Sequence, residues 1–287
     1  MKTWSPRFGK PLNEKMRYFN ASISFDFRLA KYDIISSIAH AKMLHKVGLL
    51  TDKELDQLTL CFEKISLEIE TGKFKLNVED EDIHFAIQNA LVKEIGDVGK
   101  KIHTARSRND QVATDLRLYT RDHVDIVIEQ LNEFVSVFEK VSEKHESTIM
   151  CGYTHLQKAI PTTYGRYLDA YQEIFIEDKD RLLCARKRVN RSPLGAGSIC
   201  GTTLPIDREF TAKELGFDGF IRNTMNAVSN RDFAIEVLAD LSIIAVHFSR
   251  LAEDLIIFST DEFGFFDLDD AFCTGSSLMP NKKIQIR

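Results

Sequence analysis

The chain has 287 residues, 44% hydrophobic and 28% charged, with a net charge of -5. That length suits one large domain or two ordinary ones, and the composition is that of a globular chain rather than a disordered or fibrous one. The mild acidity gives no electrostatic support for a nucleic-acid partner, and the five cysteines form no CxxC pair or metal-ligand spacing, so they are read as packing residues and no metal is expected.

The opening "MKTWSPRFGK" has no apolar core of a secretory signal, and the thiols read as reduced, so a cytoplasmic protein is expected. Residues 33–95 read as several medium helices. Asp33 is expected to cap the first, Gly48 to stop it, and Thr51 or Asp52 to cap the next. "NVEDEDIHFAIQNAL" starts another helix with acids at its positive end. From Asn109 the helices lengthen. Val127, Leu131, Phe134, Phe138 and Val141 step by four and three, and Tyr171, Phe175, Asp178, Leu182, Ala185 and Val189 keep the rhythm with one polar exception. A third long helix is expected over 229–258. Acidic and basic residues within it, from Asp240 to Asp254, argue against a membrane span. Three rods of roughly 30 residues would each be about 45 Å long. Because the third is apolar on most sides, further copies are expected to cover it.

Three links between the rods carry the chemistry-bearing residues. In "KIHTARSRNDQVATD", Arg106 and Arg108 precede a helix start whose free N–H groups attract anions. That stretch reads equally as a carboxylate or phosphate site and as a helix capped by Asn109 or Asp110 with solvated arginines. In "GYTHLQ", His155 sits in a loop ahead of a helix begun by Pro161. It is either a proton carrier or structural, and Thr154 beside it adds a hydroxyl. In "GSSLMPNKK", Ser276 and Ser277 need a cation such as Lys282 or Lys283 to activate them, and the alternative is a polar tail. "GAGSICG" fails the dinucleotide fingerprint because its third glycine is late and no strand precedes it; it is read as a tight connection.

Taken in order, "FNASISFD", "EDEDIH", "HTARSRNDQVATDLRLYTRD", "GYTHLQ", "NRSPLGAG", "GTTLPIDRE", "NRDF" and "TGSSLMPNKK" resemble the signatures of the argininosuccinate lyase family of the fumarase–aspartase superfamily. The resemblance implies an all-α fold. It places an N-terminal helical domain at 1–107 and a long-helix bundle at 108–287, with the C-terminal part of the bundle and a small third domain missing. It implies reversible β-elimination of argininosuccinate to arginine and fumarate by a homotetramer whose sites are shared between subunits, without a cofactor. By position, Ser276 matches the family's base and His155 its partner in the acid step. Ser22, Arg108, Asn109, Thr154 and Lys282 match substrate contacts, and Asp82 and His84 lie in a supporting stretch.

The sequence departs from the family at Cys151, where proline is usual, at Asn226 and Asn230, where acids are common, and at Asn281, Ile284 and Gln285 in the last signature. The chain is accordingly expected to be cut inside the catalytic loop and to be inactive alone. Two alternatives to the lyase reading are a non-catalytic, assembly-modifying homologue and another fumarate-releasing lyase of the superfamily.

Overall fold

The computed structural model describes residues 13–77 and 80–284. Eleven α-helices appear among them: α1 (Glu14–Asn20), α2 (Ile23–Asp26), α3 (Ala30–Lys46), α4 (Asp52–Glu70), α5 (Ile83–Ile95), α6 (Asp97–Lys100), α7 (Arg108–Lys144), α8 (Tyr164–Val189), α9 (Arg208–Glu214), α10 (Thr224–Ser229) and α11 (Asp232–Phe258). Two small antiparallel hairpins interrupt them: β1 (Ile149–Thr154) with β2 (Gln157–Thr163), and β3 (Thr274–Gly275) with β4 (Lys283–Ile284). The helical class is as the sequence implies. The chain divides into two compact units, one of residues 1–122 with 189–230, the other of 123–188 with 231–287.

In the first unit, α3, α4 and α5 close around Leu44, Leu58, Phe62, Ile83, Ile87 and Leu91, each no more than 1% exposed. Thr51 caps α4 as expected, and the cap is reciprocal, because Glu54 also accepts from the Thr51 N–H. Gly48 stops α3 just beyond its end with φ +77°. Asp33 is not a cap. The helix begins three residues earlier, at Ala30, which carries Asp33 inward to 1% exposure. A second cluster packs Tyr32, Leu118, Leu194, Leu215 and Phe217 together.

In the second unit the 3–4 rhythm becomes packing. Phe175 is fully buried, with ring centroids 5.0 Å from Phe134 and 4.8 Å from Phe248. Asp178, the polar exception, is fully buried as well. It is balanced there by His247 Nδ1 at 2.7 Å and Arg181 NH1 at 3.0 Å. Helix α11 starts at Asp232, slightly later than expected, and keeps Ile235, Leu238 and Val246 more than half exposed. No helix among the described residues is long and apolar enough to cross a membrane.

Candidate active site

The first unit collects five of the expected residues around the start of α7. Arg108 opens the helix, and its Nε lies 3.1 Å from Asp82 Oδ2. Asp82 is fixed in turn, because it caps α5 by accepting from the Phe85 N–H at 2.6 Å. The chain on either side of Asp82 ties back to the α2 region. Ser22 N donates to Glu81 O at 2.9 Å, and Ile83 N donates to Asp26, whose other contact is a 2.6 Å bond from Ser22 Oγ. Neither Asn109 nor Asp110 caps α7. Ser107 precedes the helix, and Asp110 Oδ1 reaches back to accept from the Ser107 N–H at 2.9 Å. Asp110 Oδ2 accepts from the Gly195 and Gly197 N–H groups, both at 2.9 Å, and Asn109 Nδ2 donates to Ser198 O at 2.9 Å.

The "GAG" turn is thus more than a tight connection. Its two amides form a nest around a carboxylate from the neighbouring signature. Both glycines have positive φ, and a Cβ on Gly197 would lie 2.8 Å from Gly201 O.

Behind Arg108 lies a buried polar chain that the sequence reading missed, apart from His84. Gln111 Oε1 accepts from Arg108 NH1 at 2.7 Å, and Gln111 Nε2 donates to Asp33 Oδ1. His84 Nδ1 stands 3.1 Å from Asp33 Oδ1 and 3.3 Å from Asp115 Oδ2, and Ser36 Oγ donates to Asp115 Oδ1 at 2.6 Å. All five buried side chains are at most 2% exposed. Burial works against the charge on Asp33, His84 and Asp115. The imidazolium of His84 overrides it at Asp33, whose carboxyl stays well below the usual range. The Asp33 charge likewise overrides burial at His84 and raises its pKa. At Asp115, burial and the nearby Asp33 charge act together and push the carboxyl up to about 8. One carboxylate is therefore ionised and the other holds a proton, as expected of two acids flanking one imidazole. Asp33, His84 and Asp115 also offer ligand atoms within 4.8 Å of one another, the one such group among the described residues. The two His84 distances equally suit an imidazolium between two acids.

The second unit holds the other four expected residues. Thr154 ends β1, and His155 and Leu156 form the two-residue turn, with φ of +53° and +57°. This is a hairpin, not a loop leading into a helix. Pro161 lies in β2, and α8 begins at Tyr164. A turn with two positive φ values suits the right-handed twist of a hairpin and strains non-glycine residues. Ser276 follows β3, and its Oγ accepts from the Leu278 and Met279 N–H groups at 3.3 and 3.1 Å. Among the described residues Lys282 makes no ion pair, whereas Lys283 meets Asp267 at 3.0 Å and Asp270 at 2.7 Å. Among the described residues no hydrogen bond or ion pair joins Thr154 or His155 to Ser276 or Lys282. Of the departures, Gln285 lies outside the described residues, as does Glu79 of the acidic stretch.

A family model described as "Lyase" matches residues 6–283. The chain is 52% identical over 283 residues to the argininosuccinate lyase of Legionella pneumophila (strain Philadelphia 1), covering 98% of this chain and 69% of that one. It is 51% identical to the argininosuccinate lyase of Caldanaerobacter subterraneus subsp. tengcongensis, covering 99% of this chain and 64% of the relative. Among solved structures, an EDDS lyase in complex with formate superposes with a TM-score of 0.83 at 31% identity, over 90% of this chain and 51% of that chain. The chain thus spans 69% and 64% of the length of these two curated relatives and about half that of the solved one.

Proposed function

The chain belongs to the argininosuccinate lyase family, within the fumarase–aspartase superfamily, and on that premise we propose that it serves the reversible cleavage of argininosuccinate to arginine and fumarate. The reaction is a β-elimination at a carbon–nitrogen bond. A base takes a proton from the carbon beside a succinyl carboxylate. The electron pair passes into an aci-carboxylate and then forms the double bond of fumarate. The bond to the guanidino nitrogen breaks, and an acid supplies that nitrogen with its proton.

The observation that carries this reading is the cluster at the start of α7. Arg108 and Asn109 offer cationic and amide donors beside a helix N-terminus, on a base fixed by Asp82, Gln111 and Asp110. Donors held in place before charge develops suit a dicarboxylate that gains negative charge in the transition state. In this reading Ser22, Arg108, Asn109, Thr154 and Lys282 bind the substrate, Ser276 is the base, and His155 belongs to the acid step. Asp82 and His84 support them.

The protein works as a homo-oligomer, a tetramer by analogy with the family, with each site drawing segments from several copies. The exposed apolar residues of α11 support this, because Ile235, Leu238 and Val246 are 66%, 64% and 57% exposed on a helix that is apolar nearly all round. The assembly acts in the cytoplasm.

Titration calorimetry tests the binding half of the proposal. Fumarate and argininosuccinate are each expected to bind, and Arg108→Ala is expected to weaken both by roughly tenfold or more, the effect of one charge-assisted hydrogen-bond pair. A wild-type protein that binds neither overturns the reading.

A further inference from the structure

The second unit contains a pocket of about 480 Å³ whose lining shares only His155 with the residues assigned to the reaction. Its lining includes Tyr153 and His155 from the first hairpin, Tyr167 from α8, Asp254 and Phe258 from α11, and Phe263. The size is that of a small-molecule site. Most of these side chains are aromatic, and they contact one another edge to face or tilted. Tyr153 lies 5.1 Å from Phe263 between ring centroids, and Tyr167 lies 5.7 Å from Phe258 at an interplanar angle of 70°.

One carboxylate stands in this aromatic wall. Asp254 Oδ2 accepts two hydroxyl hydrogen bonds, from Tyr167 at 3.0 Å and from Tyr171 at 2.7 Å. Burial, with Asp254 beside them, raises both tyrosines, Tyr171 to about 12, so both remain donors across the physiological range. Asp254 Oδ1 accepts no hydrogen bond among the described residues. The carboxylate is therefore oriented through one oxygen and open at the other. A dicarboxylate would meet like charge here, whereas a cation would meet an acceptor and several π-faces.

We propose that this pocket binds a compact organic cation, a guanidinium or primary ammonium head, with Asp254 Oδ1 accepting its N–H groups and the rings of Tyr153, Phe258 and Phe263 flanking it. The site needs no assumption about the reaction. His155 stands in its lining, so an occupant would touch the strained turn of the hairpin.

The test is calorimetry on the whole chain with three probes of similar size: ethylguanidinium, n-butylammonium and the neutral n-pentanol. Both cations are expected to bind, and the alcohol to bind at least about tenfold more weakly, because it lacks the charge that Asp254 and the rings attract. Asp254→Asn keeps the volume and an oxygen for the tyrosines, and should lower affinity for both cations by roughly tenfold. Phe263→Leu should lower it severalfold without touching the carboxylate. Circular dichroism matching the wild type confirms that each variant is folded, and if Asp254→Asn does not fold, Phe263→Leu carries the comparison. Absence of cation binding to the wild type, equal binding of the alcohol, or unchanged affinity in the folded variants would overturn the proposal.

Discussion

Gln111 Oε1 accepts a hydrogen bond from Arg108 NH1 at 2.7 Å, while the amide nitrogen of the same side chain donates to Asp33. An amide can accept from a guanidinium through its oxygen and donate to a carboxylate through its nitrogen at once. Gln111 is 2% exposed, so neither bond is replaced by water without cost.

Gln111→Leu should therefore destabilise the protein by about 2 kcal/mol, because Arg108 and Asp33 each lose one bond at a position closed to water. Gln111→Glu should cost more, because it sets a second buried carboxylate against Asp33. Chemical denaturation of the two variants checks both the size and the order. A Glu variant as stable as the wild type would mean that Gln111 does not face Asp33.

Asp110 joins two signatures 85 residues apart through Gly195 N and 87 apart through Gly197 N. Asp110→Ala would leave three amide donors without their carboxylate and should cost about 3 kcal/mol, allowing for non-additivity. Gly197→Ala meets both a positive φ and backbone at 2.8 Å, and about 2 kcal/mol is expected. Combining the two should cost less than their sum, since both loosen the same turn. Additive losses in a double-mutant cycle would show that the turn is not held by Asp110.

Stability should depend on pH through His84 and Asp115. The folded protein raises the pKa of both, Asp115 to about 8, and so holds protons that the unfolded chain releases. Stability then falls as pH rises, from near the unfolded carboxyl value for Asp115 and near the unfolded imidazole value for His84, by up to about 1.4 kcal/mol per pH unit for each proton. Asp33 runs the other way, with its contribution present above the ordinary carboxyl range and lost only in strong acid. Denaturant midpoints between pH 6 and 9 should decline for the wild type and flatten for Asp115→Asn. An unchanged slope in that variant would remove Asp115 as the proton holder.

The long helices were legible because their signal is local. Phe175, Leu182, Ala185 and Val189 recur at helical spacing, and all four are fully buried. The polar chain behind Arg108 was not legible, since its links span 78 residues from Asp33 to Gln111 and 79 from Ser36 to Asp115. No periodicity reports such pairs, and Asp33 at the front of a helix imitates a cap. The first hairpin was missed for a different reason. Every residue of β2 from Gln157 to Pro161 is exposed, so the strand shows no buried alternation. The motifs located the candidate residues in the sequence, but not which of them bond to one another.

The apolar face of α11 predicts self-association. Leu238→Asp with Val246→Asp should shift sedimentation toward smaller species at equal concentration while leaving helix content unchanged, because both residues are more than half exposed within one chain. Identical sedimentation of wild type and variant would show that this face is not an interface.

The central claim is that this chain supplies competent residues to argininosuccinate cleavage, and complementation measures it most directly. The chain would be co-assembled with the Legionella pneumophila relative carrying an alanine at its counterpart of Arg108, and the isolated mixed oligomer given argininosuccinate. Release of arginine and fumarate in equal amounts, lost when Arg108 of this chain is also replaced by alanine, is the predicted result. A mixed oligomer that forms but releases neither product would contradict the account.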